Sequence, residues 1–428
     1  MNGGEEQNQE HPEPAREIWI PSSGITPQHA ISANIYSFNS HARRIYQDEA
    51  EKEQDHPVGS LPAEVLMEIL SQVPYKSLCR FKCVSKPWLA FCSEPDICKR
   101  CPQTLSGFFY NYGGRVSFHN LSGRGRPMVD PSLPFLRGSY DRFEVKQCCG
   151  GLLLCECWES RHEEDKHDFV VCNPMTGKWT VLPPILWQNK MDGDPVRFKP
   201  IEIFLGFDAT VPSCFTVFVP LTYYEEEFTE MAIYSSKTRC WITVESDPTT
   251  QVVGNSECVF LNGTMHLATK DGSIVSVDAK GEEWCEIDMP NHMEGSRRSK
   301  VSIGKSQGQL HVWQIYNDDD DADDDDYGDG DGHLYVWVLK DYDSEKWRLK
   351  CNVRVSELFK RECGEDDFSY TAFAIHPESN CIFLTDEDET TLSYDMDNLK
   401  VKVMRNFQEF QDALPYTPCF AEWSSDGH

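Results

Sequence analysis

Three clusters of side chains in this chain have the chemistry to hold a metal ion, and spacing decides each case. The run from Asp318 to Asp331 contains ten aspartates, a third of the formal net charge of −30. A calcium loop needs spaced oxygen donors, a glycine at its sixth position and a terminal glutamate. In Asp323-Asp324-Asp325-Asp326-Tyr327-Gly328 a tyrosine stands where the fifth-position donor belongs, and no glutamate follows. The segment therefore reads as a solvated, disordered loop over 317–332, which as a recruiting surface would attract a basic partner. Cys98-Lys99-Arg100-Cys101 has half the spacing of a zinc knuckle, but Cys148 and Cys149 lie too far on to complete it. His162-Glu163-Glu164-Asp165-Lys166-His167 reads as decoration on a long hairpin loop between Cys157 and Phe169 rather than as a ligand set. No phosphate-cradling glycine loop, His-Glu-x-x-His helix or serine elbow is present. The expectation is a chain with no catalytic residue, no metal ligand and no cofactor.

The 18 cysteines point the same way. Many sit inside apolar runs, such as Cys155 after Leu152-Leu153-Leu154 and Cys381 before Ile382-Phe383-Leu384, where a reduced thiol acts as a small core hydrophobe. Residues Met1 to Glu17 lack the cationic start and apolar run of a secretory signal, and no apolar stretch is long enough for a membrane helix. The expected setting is soluble and intracellular, in cytoplasm or nucleus; Arg297-Arg298-Ser299-Lys300 is too short to argue for nuclear import. With 70 acidic against 40 basic residues, the surface repels phosphate backbones and anionic lipid heads. Nucleic acid and membranes are poor partners for it.

The elements that remain must carry the function by contact. Residues 1–56 are polar and rich in Glu, Gln and Pro, and read as a flexible leader, with a short helix possible over Ile35 to Glu53. From Ser60 to Cys101 the character turns slightly basic and the apolar spacing becomes helical. Pro62 and Glu64 open a first helix, on which Val65, Leu66, Ile69, Leu70 and Val73 form one stripe, and Pro74 ends it. A second helix fits Lys76 to Val84, with Leu78, Phe81 and Val84 on one face. Ser85 and Pro87 suit the start of a third, carrying Trp88, Leu89 and Phe91. Helices this short, with this many large apolar groups, bury too little among themselves to offset the entropy of ordering them. They want a partner groove.

From residue 105 onward the pattern is β. A polar turn followed by a tryptophan recurs as Asn173-Pro174-Met175-Thr176-Gly177-Lys178-Trp179, Tyr234 to Trp241, Asp278 to Trp284 and Lys340 to Trp347. A degenerate copy, Tyr394 to Leu399, lacks the tryptophan. Glycine-led strands recur too, at Gly150-Gly151-Leu152, Asn262-Gly263-Thr264 and Gln307-Gly308-Gln309. A four-stranded unit repeating every ~40–50 residues is the signature of a β-propeller. Five units can be counted; Leu105 to Leu121 supplies a sixth, with the last strand near Phe420 to Trp423 closing the ring. A β-sandwich with similar hairpins is the competing architecture.

The stretch Leu61-Pro62-Ala63-Glu64-Val65-Leu66-Met67-Glu68-Ile69-Leu70, continued by Leu78 and by Val84-Ser85-Lys86-Pro87-Trp88, resembles an F-box. The phrases Asn173-Pro174 with Trp179 and Leu182-Pro183-Pro184, and Tyr234-Ser235-Ser236 with Trp241, are similar to the F-box-associated domain of plant proteins, related to kelch-type propellers. The resemblance implies a mainly β chain: a leader over 1–56, a three-helix F-box over 57–101, and a propeller-like target-recognition domain of about six blades over 105–428. It further implies a non-catalytic substrate receptor of a ubiquitin ligase, bound through a Skp-type adaptor to cullin and RING subunits and holding an unnamed protein target. Carried over position by position, Leu61, Pro62, Ile69, Leu70, Leu78, Val84 and Trp88 are the expected adaptor contacts, with about half of them expected to serve internal helix packing instead. The rival functions are a scaffold that binds the adaptor without a cullin, and a copper oxidase of the kelch type, for which no convergent ligand set is seen.

Overall fold

The computed structural model describes residues 16–17, 62–73, 75–93, 97, 103–121, 127–159, 167–188, 195–198, 200–209, 214–221, 228–250, 257–269, 272–290, 301–316, 332–342, 345–360, 370–386, 390–404 and 413–420. The leader, save Arg16–Glu17, and its suggested helix lie outside these residues, as do Leu61, Cys98, Cys101 and the aspartate run.

Strands of alternating or fully apolar character fold into six antiparallel sheets arranged as a six-bladed β-propeller, beside a separate two-stranded sheet of Leu186–Gln188 and Pro195–Arg197. Blade 1 contains Leu414–Tyr416, Gly107–Tyr112 and Arg115–Asn120. Blade 2 contains Arg142–Cys149, Leu152–Trp158, His167–Asn173 and Lys178–Val181. Blade 3 contains Phe204–Gly206, Thr216–Leu221, Phe228–Ser235 and Cys240–Thr250, with Arg16–Glu17 added at its outer edge. Blade 4 contains Cys258–Leu261, Thr264–Ala268, Ser273–Asp278 and Trp284–Asp288. Blade 5 contains Ser302–Ser306, Gln309–Tyr316, His333–Asp341 and Lys346–Arg354, and blade 6 contains Tyr370–Ile375, Cys381–Asp386, Thr391–Asp395 and Lys400–Met404. The first strands of successive blades neighbour one another and form the inner ring.

The closing strand is Leu414–Tyr416, earlier than the Phe420 to Trp423 expected from sequence. It is three residues long and contains Pro415, which cannot donate to a ladder, so nothing local marks it as a strand. It pairs antiparallel with Gly107–Phe109, some three hundred residues away in the chain, and so removes the free edges of the ring.

The core lies between blades. Leu152, Leu154 and Val171 of blade 2 meet Leu205, Val217 and Trp241 of blade 3. Leu334, Val336 and Cys351 of blade 5 meet Ile382, Leu384 and Tyr394 of blade 6. The last seam sets Ala374, Phe383 and Met404 against Leu105 and Phe108. Two of the four recurrent tryptophans, Trp241 and Trp347, reach back from their outer strands toward the preceding blade, whereas the Trp284 indole N–H donates to the Gly281 carbonyl in its own turn at 3.1 Å. The Trp241 indole N–H donates to the Pro183 carbonyl at 2.9 Å, and that of Trp347 to Asp288 at 2.8 Å. The glycine-led repeats are tight turns between the first two strands of a blade, with consecutive positive φ at Gly150-Gly151, Asn262-Gly263 and Gln307-Gly308.

Strand direction gives the disc two unlike faces. One face carries these tight turns and the short turns before each outer strand. The other carries the helix α4 defined below and the strand ends at Trp158, His167, Leu221, Phe228, Tyr316 and His333.

Candidate functional site

Among the described residues three helices precede the propeller, α1 (Ala63–Ser71), α2 (Tyr75–Phe81) and α3 (Lys86–Phe91), and a fourth, α4 (Val355–Phe359), links blades 5 and 6. Pro62 stands at the N-cap of α1 in an extended conformation and its carbonyl accepts the Leu66 N–H at 3.0 Å. The expected second helix ends early, at Phe81, and Val84 falls in the following turn. Ser85 caps α3: its Oγ accepts the Trp88 N–H at 3.4 Å and its carbonyl accepts that of Leu89 at 2.9 Å.

The helices share a small core of Leu70, Leu78, Phe91, Cys92 and Ile97, backed by Leu66, Met67, Val73, Phe81 and Trp88. The apolar stripe of α1 is split by this packing. Leu70 is buried and Leu66 half-buried, whereas Val65 is 44% and Ile69 47% exposed. Val84 is 65% and Leu89 50% exposed. These are four of the twelve exposed large apolar side chains among the described residues, concentrated in about thirty positions.

The six described candidates thus separate by environment. Pro62, Ile69 and Val84 face solvent; Leu70 and Leu78 are wholly internal; Trp88 is half-buried, its ring edge-on to Phe81 at 5.8 Å. Val65 and Leu89 belong with the exposed set, although sequence placed them only on helical stripes. The missing signal is rotational: Val65 and Ile69 lie one position from Leu66 and Leu70, and only the packed neighbours decide which pair turns inward.

A second recess lies on the other side of the molecule. A cleft of about 1110 Å³ opens between blades 1 and 2, lined by Arg115, Arg137, Arg142, Tyr140 and Glu144, with the Gly113-Gly114 turn at its mouth. Arg142 binds Glu144 at 2.5 Å and lies over the Trp158 ring at 4.4 Å. The Tyr140 hydroxyl donates to Asp168 at 3.1 Å. The Gly113-Gly114 turn and the start of the first strand of blade 2 both belong to the face that carries α4.

The metal-like clusters look different in three dimensions. His167 is no loop residue: it starts a strand, buried between Trp158 and Phe169, with Nε2 3.5 Å from Glu156. Residues 160–166 lie outside the described set. Among the described residues no group of three or more His, Cys, Asp or Glu is placed to hold a metal ion. Burial pushes the thiols of Cys149, Cys351 and Cys381 up to about 11, which keeps them protonated and unreactive. No helix among the described residues is long and apolar enough to cross a membrane.

Comparison with known proteins matches both regions. Residues 59–100 match the F-box domain, and residues 124–416 match the F-box associated beta propeller domain. The F-box protein At5g07610 of Arabidopsis thaliana is 26% identical over 318 residues, covering 69% of this chain and 70% of the relative. From the same plant, the F-box protein At5g49610 is 26% identical over 68% of this chain and 79% of its own length. The putative F-box/kelch-repeat protein At1g15680, also from Arabidopsis thaliana, is 21% identical over 83% and 86%. With the propeller model spanning most of the chain and the helical segment matching its own, this chain belongs to the family of F-box proteins with an F-box-associated β-propeller domain.

Proposed function

We propose that this chain is the target-selecting subunit of a cullin–RING ubiquitin ligase, joined through its F-box to a Skp-type adaptor. One observation carries the reading: Val65, Ile69, Val84 and Leu89 stand exposed on a helical segment whose described buried core is Leu70, Leu78, Phe91, Cys92 and Ile97. A groove on an adaptor would cover that surface. Pro62, Ile69, Val84 and the exposed part of Trp88 are the proposed contacts from the original set, joined by Val65 and Leu89. Leu61 is proposed with them on resemblance alone. Leu70 and Leu78 would act indirectly, by holding the helices in place.

The chain itself does no chemistry in this reading. It raises the effective concentration of a bound protein target near the charged enzyme, and proximity alone can supply a large part of a rate enhancement. The proposed target face is the one with α4 and the blade 1–2 cleft, because the opposite face carries the F-box. Cytoplasm and nucleus both suit such a subunit. The test is co-purification of the full chain with adaptor, cullin and RING subunits, in wild type and in a variant with Leu61→Ala and Pro62→Ala. Recovery of all three by the wild type, lost in the variant, supports the assignment. Adaptor without cullin would instead indicate a scaffold, and no adaptor at all would end the reading.

A further inference from the structure

The ring-closing strand does not stop at the ring. Tyr416, fully buried, pairs with Gly107 and sets its ring edge-on to Phe109 at 5.1 Å. Ser106, which leads out of the helical segment into blade 1, donates its N–H to the Tyr416 carbonyl at 3.0 Å. Both tethers between propeller and helices therefore leave from one ladder. The three residues that follow are pinned. Pro418 and Cys419 are buried, and the Asn173 side chain of blade 2 donates to the Cys419 carbonyl at 3.0 Å. Gly151, in the tight turn of the same blade, has no room for a Cβ: one would lie 2.6 Å from the Thr417 carbonyl oxygen. Phe420 then packs against the helical core of Leu70, Leu78, Phe91, Cys92 and Ile97.

We propose that Phe420 is a latch that completes the F-box core from the far end of the chain, so that an ordered F-box depends on a closed propeller. The physical basis is size. The described buried core, Leu70, Leu78, Phe91, Cys92 and Ile97, sits on helices of nine, seven and six residues, and elements this short are not indifferent to one added aromatic ring. The route is short: three residues, one a proline with fixed φ, separate the last ladder pair from Phe420, so displacement of the strand must displace the ring. A receptor with an open ring would then present a loosened F-box. The link to adaptor binding rests on the function proposed above; the link between strand and helices does not.

The experiment uses the full chain, free and with adaptor, in four forms: wild type, Phe420→Ala, Phe420→Leu and Asn173→Ala. Amide hydrogen exchange reports the helices directly. Phe420→Ala is expected to speed exchange at Leu70 and Leu78 at least tenfold while the tryptophan-monitored unfolding of the propeller stays in place. Phe420→Leu restores most of the protection, and Asn173→Ala raises exchange in the same helices although it lies in blade 2. Unchanged exchange in Phe420→Ala overturns the latch, and unchanged exchange in Asn173→Ala overturns its dependence on the ring. Adaptor affinity is expected to fall several-fold in Phe420→Ala and to recover in Phe420→Leu. A wild type that ignores the adaptor would sink the receptor reading and leave the latch to stand or fall on exchange.

Discussion

At the scale of single residues, one backbone position repeats around the ring. The residue just before each outer strand, or at the turn that leads into it, adopts positive φ: Gly177, Arg239, Gly281, Glu345 and Leu399. Glycine takes this conformation freely, whereas other residues carry a cost of roughly 1–2 kcal/mol. Leu399 is 73% exposed, so its side chain returns little in exchange. Leu399→Gly is expected to stabilise the protein by about 1 kcal/mol, visible as a rise in the unfolding midpoint. The reverse holds at Gly151, where positive φ and the crowding of Thr417 and Cys419 coincide. Gly151→Ala should cost about 3 kcal/mol or more in denaturant titrations. A third residue sets acid sensitivity. His266 is buried with Nδ1 lacking a hydrogen-bond partner, and burial lowers its pKa to about 4. Its folded pKa lies below the unfolded value of 6.5, so the stability at stake is intact above pH 6.5 and declines as pH falls toward 4. The loss amounts to at most about 3 kcal/mol. Wild type minus His266→Gln, compared at pH 7 and pH 4.5 by urea unfolding, isolates this contribution from the titrating carboxylates.

At the scale of elements, α1 is the informative piece. Its nine residues give one inward pair, Leu66 and Leu70, and one outward pair, Val65 and Ile69. Substitutions on the two sides should therefore separate binding from folding. Ile69→Asp with Val84→Asp places charge on exposed positions, leaves the helical circular dichroism in place, and is expected to weaken adaptor binding at least ~100-fold, since an interface would have to bury unpaired charge. Leu78→Ala removes the most buried side chain of α2 and should destabilise the helical segment by about 2–5 kcal/mol, with adaptor binding lost as a consequence. Equal loss of helicity in both variants would show that the exposed residues are structural.

At the scale of the whole molecule, the propeller is a ring held by one short strand. Without Leu414–Tyr416, blade 1 is left with two strands and an unpaired inner edge, and the seam to blade 6 loses a wall. A chain ending at residue 412 is expected to lose its single cooperative unfolding transition and to aggregate, as followed by calorimetry and size exclusion. The ring also sorts the molecule by face. Tight turns and the F-box share one side, and α4, the blade 1–2 cleft and the chain positions flanking the aspartate run share the other. Docking through the helices, as proposed, would leave the side with α4 and the cleft free.

By itself the sequence determined what is local. Pro62 and Ser85 mark helix starts, paired positive-φ turns mark the inner hairpins, and a polar turn ahead of tryptophan marks the outer strands. Each is a contact or conformation within a few residues, so its cause sits beside it in the chain. From these the blade repeat and the F-box were both legible. Tertiary structure alone decided which half of the α1 stripe faces outward, because adjacent positions on a helix share an arc and the covering side chains come from α2, α3 and Phe420. It alone chose Leu414–Tyr416 as the closing strand, since the partner that makes a proline-bearing tripeptide extended lies at Gly107–Phe109, at the opposite end of the domain.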